Sequence, residues 1–134
     1  MVVVKRLAKL LLVGFAVTVV ACATVAEVPV EEVVTKRAQM RGDALVAQNI
    51  EEAYGYLSPG SKAKWSLSEY RAQAGKGLWR SAKVRRAECA ADQCSVHVMV
   101  DFRYRRPGVD VVAGTAVQET WVNEGGAWWY VHKR

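Results

Sequence analysis

The sequence predicts an α+β domain in which N-terminal helices pack on a four-stranded antiparallel sheet. Three observations predict it. Up to Gly75 the apolar residues recur every three to four positions, and after Gly77 the period falls to two. Two turn signals, Arg106-Pro107-Gly108 and Asn123-Glu124-Gly125-Gly126, then divide the second half into strand-length runs. With 51% hydrophobic and 24% charged residues in 134, the chain has the composition of one globular domain, not of a disordered tail.

The helices come first. The first helix starts near Val30, with Val34, Ala38, Leu45 and Val46 on one stripe and Glu31 and Glu32 at its positive end. Gly42 is an awkward residue inside it. A second helix covers about Asn49 to Leu57, with Asn49 as its N-cap, and Ser58-Pro59-Gly60 stops it. A third starts at Ser66 or Ser68, where Ser66 and Glu69 have capping-box spacing, and ends by Gly75. The first strand, Trp79 to Cys89, alternates imperfectly; Val84, Ala87 and Cys89 share a face only if a bulge lies between Val84 and Ala87. Cys94 to Tyr104 is the clearest strand, with Val96, Val98, Val100, Phe102 and Tyr104 on one face. Val111 to Val122 and Ala127 to His132 complete the sheet.

Residues 1–21 read as an export signal. Lys5, Arg6 and Lys9 precede an apolar run, Leu10 to Val20, and small residues come next. That run is far shorter than the roughly 20 residues a permanent membrane helix needs. Val19-Val20-Ala21-Cys22 resembles the lipobox of bacterial lipoproteins. The resemblance implies acylation of the Cys22 thiol, cleavage before it, and a membrane partner held through an N-terminal lipid (palmitate among its acyl chains). Ala23 after the Cys implies sorting to the outer membrane, facing the periplasm. Residues 22–29 are then a tether and 30–134 the single domain. Removal of residues 1–21, with three cations and no acid, lowers the formal charge from +6 to +3. The basic balance is therefore no nucleic-acid footprint.

Export places the two remaining cysteines, Cys89 and Cys94, in an oxidising compartment. They flank a four-residue link between strands, where opposed cysteines meet disulfide geometry. With three Cys and two His, the composition excludes a dense disulfide scaffold or a Cys/His zinc cluster, and no cofactor or metal is expected.

The stretches Ala44-Leu45, Glu52-Ala53-Tyr54 and Tyr56-Leu57-Ser58-Pro59, with Glu119-Thr120-Trp121-Val122 and Trp128-Trp129-Tyr130, resemble the nuclear-transport-factor-2-like superfamily. It includes SnoaL-like and ketosteroid isomerase-like domains. The resemblance implies a curved sheet wrapped round helices into a cone, and an aromatic in the space that the first helix leaves near Gly42. Enzymatic members place an acid or base in the cone; others bind ligands or dimerise.

The chemistry the residues offer is sparse. Glu119 shares a strand face with Val117 and Trp121, where a carboxyl has a raised pKa and acts as acid or base; the alternative is a rim Glu paired with an Arg. His97 and Asp101 lie opposite the Val-rich face, with Asp101 expected near Arg103. Tyr54, Tyr70, Trp79 and Trp121 line a pocket or fill the core. Lys83, Arg85 and Arg86, with Arg103, Arg105 and Arg106, form a basic patch that takes an anionic envelope component or guards a sheet edge. Trp128 and Trp129 are strand neighbours and face opposite sides, so both faces of the sheet need cover; a weak homodimer through the sheet supplies one. Two functions fit these residues: a lipid-anchored, non-enzymatic binding or assembly module, or a small isomerase- or cyclase-like enzyme.

Overall fold

The computed structural model describes residues 21–74, 76 and 78–134. The export signal lies almost wholly outside the described residues. Residues 21–29 carry neither helix nor strand and are exposed. Then come α1 (Val30–Val46), α2 (Ile50–Gly55), α3 (Pro59–Lys64), α4 (Leu67–Ala74), β1 (Trp79–Ala90), β2 (Gln93–Arg106), β3 (Val109–Glu124) and β4 (Ala127–Val131). The strands form one open antiparallel sheet in the order β1-β2-β3-β4. The α+β class is the one the sequence predicts, with helices before the sheet.

The local chemistry explains most boundaries. The Asn49 side chain accepts from the Glu52 N–H and caps α2. Ser66 and Glu69 close the capping box at α4: the Glu69 N–H donates to Ser66 Oγ, and the Ser66 N–H to Glu69 Oε2. The bulge in β1 lies between Val84 and Arg86. The number of helices differs from expectation. Ser58-Pro59-Gly60 lies beyond the end of α2, but it also starts α3: Ser58 accepts from the Ser61 N–H and Pro59 occupies the first turn. Proline fits there because that N–H has no helical partner to lose.

Two layers bury one continuous core. Val34 and Ala38 of α1 pack on Cys94, Val96, Val98 and Val100 of β2, and on Trp121 and Trp128. Ala44, Leu45, Ile50, Ala53, Leu57 and Tyr70 form a second cluster, which Trp79 and Tyr130 join to the first. Trp128 is the tryptophan that faces the helices, 6% exposed. Trp129 points to the other face and is half-buried. Its ring is flanked by Arg37 and Lys62, which reach it from α1 and α3, so the chain itself supplies part of that cover.

Gly42 marks the closest approach of α1 to the sheet. A Cβ there would lie 2.9 Å from the Ala82 Cβ. Among the described residues no aromatic fills the space beside Gly42; the Ala82 side chain of β1 occupies it. Gly42→Ala is therefore expected to lower stability by about 1–3 kcal/mol through overpacking, although alanine is the better helix former. Adding Ala82→Gly should restore part of the loss in urea unfolding. A Gly42→Ala chain as stable as wild type would show the layers free to separate.

Candidate functional site

The centre of the molecule is polar. Arg41 projects from α1 into the core and is 4% exposed; Glu119 of β3 is 3% exposed. The Arg41 Nη1 donates to Glu119 Oε1 at 2.6 Å. The other oxygen, Oε2, accepts from the Trp121 indole N–H at 2.9 Å. Arg41 Nη2 donates to the Tyr70 hydroxyl, and its guanidinium carbon sits 3.6 Å from the centre of the Tyr130 ring. Burial works against the Arg41 charge, but Glu119 outweighs it, together with Tyr130 and Tyr70, and its pKa lies above the ordinary value. Burial raises the Tyr130 pKa. Glu119 is thus neither a rim residue nor a free acid.

A cleft of about 210 Å³ opens beside this pair. Arg41, Tyr70 and Tyr130 form its floor; Leu45, Leu78 and Trp79 supply apolar wall, and Gln48, Gln73 and His132 polar wall. Of the four aromatics expected around a pocket, Tyr70 and Trp79 line the cleft. Trp121 is fully buried in the core, and Tyr54 donates its hydroxyl to the Trp65 carbonyl outside the cleft. His132 stands edge-on to Trp65 and Tyr70, with ring centres 4.8 and 5.1 Å away. Burial, then the charge of Arg41, depresses its pKa. Among the described residues the buried Arg41 Nε and His132 Nδ1 have no hydrogen-bond partner.

The six cations of the expected basic patch do not form one patch. Lys83 is opposite Met99 and Arg86 opposite His97, so Lys83 is four residues of strand from Arg103, about 13 Å. Arg103 donates to both oxygens of Asp110, and hydrogen bonding from Arg103 lowers the Asp110 pKa. Arg105 also faces Asp110, Arg106 contacts the Tyr104 hydroxyl, and Arg86 pairs with Glu88. Arg85 lies at the bulge. A separate hollow is edged by Lys76, Arg80, Arg103 and Arg105. Asp101 accepts from the Ser81 hydroxyl instead of pairing with Arg103. Cys89 and Cys94 are directly opposed and form a disulfide. Cys22 is exposed. Among the described residues no group of three or more His, Cys, Asp or Glu side chains is arranged to hold a metal ion.

Sequence reasoning missed Arg41 and His132. The signal for Arg41 is its spacing: residues 34, 38, 41 and 45 recur at three to four, so Arg41 belongs to the buried stripe.

Two outcomes test this geometry. Glu119→Gln leaves a buried guanidinium without its counter-charge and should cost about 3–5 kcal/mol. Adding Arg41→Met should recover much of that loss in chemical unfolding; equal instability of both variants would show that shape, not charge, carries the site. His132 has its folded pKa below the ordinary imidazole value of 6.5. The unfolded chain then binds the proton more readily, so stability is complete above that value and falls as pH drops below it. Thermal unfolding between neutral and mildly acidic pH should show this slope in the wild type and lose it in His132→Gln.

Neither a family model nor a curated protein matches the chain. Solved structures do. A SEC-C motif containing protein from Psychrobacter arcticus has 13% identity and TM-score 0.59 over 80% of this chain and 63% of its own. The chain thus spans less than two thirds of that relative. A SEC-C motif containing protein from Rhodopseudomonas palustris has 14% identity and TM-score 0.53 over 69% and 70%. A protein called an NTF2-like transpeptidase, from Campylobacter jejuni, has 12% identity and TM-score 0.52 over 73% and 96%. At these identities the likeness is one of fold alone: helices on an open antiparallel sheet.

Proposed function

We propose that this chain is a lipid-anchored module of the cell envelope that binds or assembles and does not catalyse. One observation carries the second half of that reading. Glu119, the buried carboxylate among the described residues, has one oxygen held by Arg41 and the other by Trp121. An acid or base needs a lone pair or proton directed at a substrate, and this carboxylate directs neither into the cleft. The cleft has the mixed apolar and polar wall of a small-ligand site. The hollow edged by Lys76, Arg80, Arg103 and Arg105 suits an anionic envelope component.

The anchor rests on the lipobox-like Val19-Val20-Ala21-Cys22 and on the segment after it. Cys22 to Pro29 spans at most about 28 Å when extended, which holds the domain close to the outer membrane on its periplasmic side. Wild-type cells fed a labelled fatty acid should yield a labelled chain that begins at Cys22. Cys22→Ala should abolish the label and leave the precursor uncut; a fully labelled Cys22→Ala chain would refute the anchor. For the cleft, native mass spectrometry of protein from envelopes should show a retained small molecule that Ala74→Trp displaces. Turnover that Glu119→Gln abolishes without unfolding the protein would instead favour the isomerase- or cyclase-like enzyme.

A further inference from the structure

The sheet has two edges, and the chain protects part of each. At β1 the Gln39 side chain acts as a short piece of neighbouring strand: its carboxamide donates to the Ala82 carbonyl and accepts from the Val84 N–H. Lys83, between those two residues, and Arg85 and Arg86 beyond them place charge along the strand, as edge strands commonly do. At β4 the Tyr130 N–H donates to the Tyr56 carbonyl and the Ser58 N–H to the Tyr130 carbonyl. Arg37 Nε donates to the Trp128 carbonyl.

The exception is β3. It pairs with β2 from Val109 to Val122, but β4 covers only Thr120 to Glu124. Among the described residues nothing pairs with the other side of Val109 to Gln118, which carries a row of backbone donors and acceptors. Eight of these ten residues are exposed, and Val112 is 64% exposed. The segment Val109-Asp110-Val111-Val112-Ala113-Gly114-Thr115-Ala116-Val117-Gln118 holds one charge, no lysine and no proline. Every usual protection of an edge is missing where it is longest.

We propose that this edge pairs antiparallel with the same edge of a second copy, about a two-fold axis at Gly114. The segment is complementary to itself in that register. On the open face Val112 meets the second copy's Ala116, and Asp110 meets its Gln118, an acceptor opposite an amide donor. On the helix-packed face Val111 meets Val117, and Ala113 meets Thr115. No like charges are opposed, and the only charged residue is already matched by Arg103 of its own chain. Gly114 meets Gly114 at the axis, where the space over each glycine is taken by the carboxylate of Asp101, 2.9 Å from where a Cβ would be. A two-fold contact of this kind closes on itself and leaves no growing end.

The test uses the full chain in detergent, so it reads the edge independently of the anchor. Sedimentation equilibrium should show a dimer that dissociates on dilution. Val112→Lys with Ala116→Lys sets lysine against lysine twice and should weaken association about tenfold or more. Val112→Lys with Ala116→Glu sets opposite charges twice and should return it toward wild type. Both positions are exposed, and both variants carry the same Val112→Lys change opposite Arg103, so circular dichroism and thermal unfolding should show the two folded alike. The same paired lysines at Ala63 and Ala72, exposed and off the edge, should leave the dimer intact. In a Cys22→Ala background, Val112→Cys with Ala116→Cys should cross-link to a dimer on mild oxidation, and either cysteine alone much less. A wild type monomeric at every concentration, open-ended oligomers, equal dissociation of the Lys/Lys and Lys/Glu chains, or no cross-linked dimer would each overturn the proposal.

Discussion

The fold turns on one buried ion pair. Arg41 comes from the helical half and Glu119 from the third strand, 78 residues away, and neither is tolerable in the core alone. Once together they still have hydrogen-bonding capacity to satisfy, and this dictates their neighbours. Trp121 turns its indole N–H to Glu119, Tyr70 presents its hydroxyl to Arg41, and Tyr130 covers the guanidinium with its ring. Three aromatics that an apolar core would accept in many arrangements are thereby set in one. The pair also defines the cleft, because Arg41, Tyr70 and Tyr130 are both the shell of the pair and the floor of the opening.

The pair sits where the two layers are held closest. One turn along α1 from Arg41, Arg37 caps the edge of β4; two residues before it, Gln39 caps the edge of β1. Gly42, next to it, lets the helix backbone approach Ala82. A single helical segment thus neutralises a buried carboxylate, caps one point on each of β1 and β4 and sets the spacing between the layers. Its buried stripe is mixed in character for this reason: Val34 and Ala38 pack, while Arg41 and Gln39 bond.

Much of this was legible from residue spacing and some was not. The two-residue period of Val96, Val98 and Val100 located β2 and its buried face, and the broken alternation of Trp79 to Cys89 located the bulge near Arg85 in β1. Ser66 and Glu69 announced α4 because both partners of a capping box lie within one turn. Ser58-Pro59 was ambiguous by nature: a proline that ends one helix is equally suited to open the next, and nothing local separates the cases. A local pattern also holds no information about partners 78 residues away, so Glu119 could be suspected of acidity or of pairing, while Arg41 had to be found in space. The basic residues were misjudged for a related reason. Their number was visible, but register decides which ones meet, and it gave Arg103 to Asp110 and left Lys83 about 13 Å away along the sheet.

The way β4 is bracketed has a consequence for the timing of folding. Its two faces and its edge are completed by residues from the helical half: Tyr56 and Ser58 bond Tyr130, Arg37 bonds Trp128 at a separation of 91 residues, and the Ser61 hydroxyl accepts the His132 N–H across 71. The helices in turn have no apolar surface to rest on until β2 and β3 are present. A chain emerging in order, from a ribosome or through a membrane pore, therefore gains little by settling early. Each partial length lacks the layer that would stabilise it, and closure waits for residues 127–132. Such a topology folds late and as a whole, which leaves the nascent chain unfolded until its last strand has emerged.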